Sequence, residues 1–99
     1  MSRSAYTVVI AEDVDRTRRG LESFLKRMGS RFTVIATFDN GRETYKYVSE
    51  HQVDVLLCDI RLPLLSGVDI ARNLHDKNSR TKIVFISAYR DFDYAVSAL

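Results

Sequence analysis

The 99-residue sequence has one cysteine, one proline, four glycines and no tryptophan. A single cysteine, Cys58, rules out an intramolecular disulfide framework. It sits in an apolar run, where a lone thiol behaves as a small core hydrophobe. So little proline and glycine excludes fibrous and low-complexity classes. Charge of one sign is also lacking: 15 basic against 13 acidic side chains leave +2, too weak a balance to mark a nucleic-acid surface. No apolar stretch approaches the ~20 residues of a membrane span. The first apolar run, residues 6–11, is too short for a signal-peptide core and ends in acid, so a cytoplasmic location is expected. The length fits one domain, residues 1–99.

What the sequence does have is alternation. Apolar runs at 6–11, 32–38, 55–58 and 83–87 are separated by segments of helical spacing. Val8-Val9-Ile10, Val55-Leu56-Leu57 and Ile83-Val84-Phe85-Ile86 are continuously apolar, as strands covered on both faces tend to be. The second run instead alternates. It predicts an edge strand with Phe32, Val34, Ala36 and Phe38 on one face and Thr33 and Thr37 on the other, around Ile35. Leu21, Phe24, Leu25 and Met28 form a helical stripe closed by Gly29. The basic residues of this helix (Arg16, Arg18, Arg19, Lys26 and Arg27) are expected on a solvated face. Asn40 with Glu43 predicts a capped helix burying Tyr45 and Val48; Ser66 with Asp69 predicts another with Val68, Ala71 and Leu74 inward. Asp91 can cap a last helix carrying Phe92, Ala95 and Leu99. The order βαβαβαβα implies an α/β fold, a doubly wound parallel sheet with helices on both faces.

In such sheets ligands bind beyond the carboxyl ends of the strands. Glu12 and Asp13 follow the first run and Asp59 follows the third. If those strands are neighbours, three carboxylates converge, and each pair at ~5 Å repels by roughly 3 kcal/mol at an effective dielectric near 20. A hard divalent cation, Mg²⁺, would relieve that repulsion. The competing explanation, that Asp13 or Asp15 merely caps the first helix, leaves the acid on the third strand without a reason. An aspartate beside Mg²⁺ can act as a nucleophile toward a phosphoryl group, and Ser87, at the end of the fourth run, could hydrogen-bond the product. His51 and His75 lie near helix ends and are assigned to no metal.

These residues resemble the receiver family of two-component signalling. The resemblance rests on Glu12-Asp13 after Val8-Val9-Ile10-Ala11, on Asp59-Ile60-Arg61-Leu62-Pro63-Leu64-Leu65-Ser66-Gly67, and on Ile86-Ser87-Ala88-Tyr89. It implies a flavodoxin-like fold of strand order 2-1-3-4, with Mg²⁺ on Glu12, Asp13, Asp59 and the backbone carbonyl of Arg61. It also implies that Asp59 takes a phosphoryl group from a sensor histidine kinase, and that Ser87 is the switch hydroxyl. Pro63 and Gly67 would shape the following loop, with Gly67 starting a helix where a side chain would crowd. Residues 87–95 are similar to regulators with an AraC-type DNA-binding output, so DNA is a partner only through such an output.

The sequence departs from the family beyond the fourth run. By the resemblance a fifth strand with its lysine and a fifth helix are expected to be missing from these residues, and neither Lys77 nor Lys82 stands where that lysine would. Slow or weak phosphorylation is therefore expected. A bare apolar edge at 83–86 is also expected, favouring a homo-oligomer through the truncated face. In that case the fragment would be an interaction module with an idle site. A phosphatase of the haloacid dehalogenase type would need an aspartate two residues after the nucleophile, where this chain has Arg61. A nucleotide-binding fold would need a glycine-rich loop after the first strand, and none is there.

Overall fold

A computed structural model describes residues 5–86. Four parallel strands, β1 (Tyr6–Ala11), β2 (Phe32–Phe38), β3 (Val55–Asp59) and β4 (Lys82–Ile86), form one sheet of order β2-β1-β3-β4. The connections are α1 (Asp15–Arg27), a short 3-10 turn (Gly29–Arg31), α2 (Gly41–Glu50) and α3 (Gly67–Asp76). The predicted doubly wound sheet is present, with β2 at an edge. Asp91 and the helix expected around it lie outside the described residues, as does Ser87.

Continuous apolar strands give two cores because successive side chains point to opposite faces. Val9, Ala11, Leu56 and Cys58 face α2 and α3, meeting Val48, Ile70 and Leu74. Val8 and Ile10 face the other way onto Leu25 of α1. Each fully buried Ile or Leu contributes roughly 1.5–3 kcal/mol relative to exposure.

The expected single face of β2 is corrected by the register. Val8 pairs with Val34 but Val9 pairs with Ala36, so Ile35 is an extra residue, a β-bulge. An inserted residue exchanges the two faces for everything after it. Phe32 and Val34 therefore pack on the α1 side, whereas Ala36 and Phe38 pack on the α2–α3 side.

Both predicted capping boxes form their first bond. The Asn40 side chain accepts from the Glu43 N–H at 2.9 Å and its amide donates to Glu43 Oε2 at 3.0 Å. Ser66 Oγ accepts from the Asp69 N–H at 3.1 Å. Asn40→Ala is expected to cost about 1 kcal/mol, a fall in Tm of about 4–8 °C in a thermal melt. In α2, Thr44 is buried beside Val48 while Tyr45 is half-buried. In α3 the inward stripe is Gly67, Ile70 and Leu74; Val68 is exposed, because helical spacing from Leu74 selects Ile70. Neither Asp13 nor Asp15 caps α1. Val14 occupies that position without a side-chain cap, and Asp15 lies in the first turn.

Candidate functional site

The carboxyl ends of β1 and β3 lie side by side, with Ala11 opposite Cys58, so the residues that follow meet at one edge of the sheet. Glu12, Asp13 and Asp59 each bring a carboxylate oxygen within 4.8 Å of the others. Asp59 and Glu12 are buried and Asp13 is exposed, so the cluster opens to solvent on one side. Glu12 is held by its backbone N–H, which donates to the Phe38 carbonyl of β2 at 3.0 Å. Its Oε2 accepts from the Val14 N–H at 2.8 Å. Asp59 Oδ1 accepts from the Arg61 N–H at 3.1 Å.

Two pKa shifts show how compressed this charge is. Burial above all raises Glu12 from 4.5 to about 7, with Asp13 and Asp59 adding to it and the Val14 N–H opposing it. Burial, then the charges of Asp59 and Glu12, pushes the Cys58 thiol up to about 12. The thiol stays protonated and donates to the Asp59 backbone carbonyl at 3.3 Å, which suits a core hydrophobe rather than a nucleophile. Three hard anionic oxygens with room for water could hold a small divalent cation such as Mg²⁺.

The loop after β3 is built by close backbone approaches. Gly67 N–H donates to the Ile60 carbonyl at 2.8 Å, and a Cβ on Gly67 would come within 2.5 Å of the Asp59 carbonyl oxygen, the expected crowding. Leu64 takes a left-handed φ of 72°, and the Gly41 N–H donates to the Pro63 carbonyl at 2.9 Å. The Gly41 contact had no sequence signal, since it joins the start of α2 to a loop more than twenty residues away. Lys82 pairs with Val55, at the opposite end of β3 from Asp59, about 13 Å along a strand. Lys77 lies at the end of α3, with Nζ 5.3 Å from the Tyr45 ring.

The solvated helix face expected of α1 is corrected at one position. The Arg18 side chain is 19% exposed, against 78% for Arg19. Arg18 Nη1 donates to the Glu12 carbonyl at 2.9 Å, and Nη2 pairs with Asp15. The spacing Asp15-x-x-Arg18 could have suggested the ion pair; nothing local could have suggested the bond to Glu12.

This sheet order, with acids at the ends of adjacent strands, defines a class, and the comparisons agree. The chain belongs to the response regulator receiver domain family, whose model matches residues 8–99. It is 35% identical over 98 residues to an uncharacterized response regulatory protein of Vibrio cholerae, covering 99% of this chain and 37% of that protein. It is 34% identical over 91 residues to the transcriptional regulatory protein YpdB of Escherichia coli, covering 92% of this chain and 36% of that one. Among solved structures, the signal receiver domain of NarL from Mycobacterium tuberculosis superposes with a TM-score of 0.82 at 28% identity, covering 87% of this chain and 68% of that one. The chain thus spans little more than a third of the length of these curated relatives. No helix among the described residues is long and apolar enough to cross a membrane.

Proposed function

We propose that Asp59 accepts a phosphoryl group from a sensor histidine kinase, with Mg²⁺ held by Glu12, Asp13, Asp59 and the backbone carbonyl of Arg61. The observation that carries this is the convergence of three carboxylates within 4.8 Å, two of them buried, at the ends of adjacent parallel strands. When bound, the cation offsets the charge on the transferring phosphoryl group. The chain's part is positional. Asp59 is fixed by the Arg61 N–H, and Glu12 by Val14 and Phe38. Ser87 is the hydroxyl that turns toward the product. A charge-assisted bond of ~1.5–3 kcal/mol there shifts a two-state ratio by ~10–150-fold. The relationship to a transcriptional regulatory protein supports a DNA-binding output, of AraC type by the resemblance of residues 87–95, and we place its action in the cytoplasm.

Intact-mass analysis after incubation with acetyl phosphate and Mg²⁺ tests the assignment. One phosphoryl adduct is expected for the wild type and none for Asp59→Asn. An adduct that survives in Asp59→Asn, or a wild type that binds Mg²⁺ and stays unmodified, overturns it.

A second role, as a self-association module, is favoured by an apolar groove of about 420 Å³ beside α1. It is lined by Leu21, Phe24, Met28, Val84 and Ile86, among others, with Phe24 and Val84 exposed. Light scattering is expected to show a dimer at high concentration; a monomer throughout would remove this role.

A further inference from the structure

We infer that Arg18 is a positioning residue for the acidic site, an inference that rests on the function proposed above. Arg18 lies one turn into α1, and among the described residues its hydrogen bonds go to none of the three carboxylates. Its fork spans two groups instead: the backbone carbonyl of Glu12 at 2.9 Å and the carboxylate of Asp15. The backbone of Glu12 is thereby held on both sides, its N–H by the Phe38 carbonyl of β2 and its C=O by Arg18 of α1. Glu12 and Asp13 both leave the chain at this point, so the grip sets where two of the three carboxylates stand.

It is needed because the cluster repels itself. Glu12, Asp13 and Asp59 lie within 4.8 Å of one another, and mutual repulsion pushes the loop after β1 away from β3. A guanidinium keeps its charge at any working pH and offers several donors in a fixed plane, so it can resist that push continuously. The contrast with Arg19 separates this role from ordinary helix pairing. Both arginines pair with Asp15, yet Arg19 is left largely in water while Arg18 is drawn in. An exposed ion pair by itself contributes little and does not require such burial. A cleft of about 230 Å³ lies beside Arg18 and is lined by Thr37, Phe38, Asp39 and Glu43, so the side chain forms one wall between the start of α1 and the end of β2.

The test measures Mg²⁺ affinity by titration calorimetry and amide exchange in the metal-free protein, for wild type, Arg18→Met and Asp15→Asn. Loss of a partner that orients a ligand typically weakens metal binding by 10–100-fold, so Arg18→Met is expected to bind Mg²⁺ about tenfold more weakly. Its Asp13 and Val14 amides are expected to exchange faster than in the wild type, with Leu56 in β3 unchanged. Asp15→Asn removes the ion pair and keeps the Glu12 bond, so it is expected to stay within about twofold of wild type in affinity. The inference is overturned if Arg18→Met binds Mg²⁺ as tightly as wild type, if Asp15→Asn loses the same factor, or if Leu56 loses protection in Arg18→Met. A wild-type chain that binds no Mg²⁺ overturns the proposed function instead, and the exchange rates at Asp13 and Val14 then decide Arg18 alone.

Discussion

Replacing Gly41 with alanine is expected to destabilise the domain by about 3 kcal/mol or more, lowering Tm by roughly 12–24 °C. A Cβ at this position would lie 1.7 Å from the Leu65 carbonyl oxygen and 2.6 Å from its carbonyl carbon. Neither atom is the tip of a flexible side chain; both belong to the backbone of the loop that follows Asp59. The start of α2 or that loop must therefore move, and the Gly41 N–H bond to the Pro63 carbonyl moves with it. The same substitution at Gly20, in the middle of α1, should have the opposite sign. Nothing lies within 4 Å of a Cβ there, so alanine gains helix propensity of about 0.5–1 kcal/mol. Thermal melts of the two variants side by side check both. Equal shifts would show that the approach of Leu65 to Gly41 does not constrain the domain.

Glu12→Gln is expected to stabilise the metal-free protein above neutral pH and to abolish much of its stabilisation by Mg²⁺. The sign follows from the raised pKa. Below about 4.5 the carboxyl is protonated in both the folded and unfolded chain and contributes no pH dependence. Between about 4.5 and about 7 the unfolded chain gives up the proton and the folded one retains it, so stability falls as pH rises. Above about 7 both are ionised and the loss stays constant, on the order of 3 kcal/mol. Glutamine lacks this titration. In metal-free buffer the Tm difference between variant and wild type should grow from pH 4.5 to 7 and then level off. Millimolar Mg²⁺ should raise the wild-type Tm more at pH 8 than at pH 5.5, since the cation competes with the proton. A difference that stays flat with pH would mean that Glu12 is not strained in the folded state.

These two variants divide the features that could be read from the sequence from those that could not. Glu12 was legible as a site residue, because an acidic pair directly after a short apolar strand stands out in any α/β pattern. Gly41 was not. It reads as an ordinary helix-start glycine after Asn40, and the atom that forbids a side chain belongs to Leu65. The Asn40 and Ser66 caps were legible because their partners lie three residues away. The sequence pattern points Val68 inward and passes over Ile70, because several apolar residues compete for one stripe and only packing chooses among them.

The sequence by itself determined what depends on near neighbours: four strands, the helices between them, the caps of α2 and α3, and acids at two strand ends. Tertiary structure decided what depends on register. The bulge at Ile35 turns half of β2 onto the opposite core, and no local pattern encodes it, since either face of an apolar strand can be buried. The pairing of Ala11 with Cys58 brings Glu12 and Asp13 to Asp59, across forty-six residues or more. The grip of Arg18 on Glu12 and the approach of Leu65 to Gly41 are of the same kind. Hydrogen bonds within a helix or cap are set by chain connectivity; contacts between elements are set by how the sheet closes, and the acidic site depends on both.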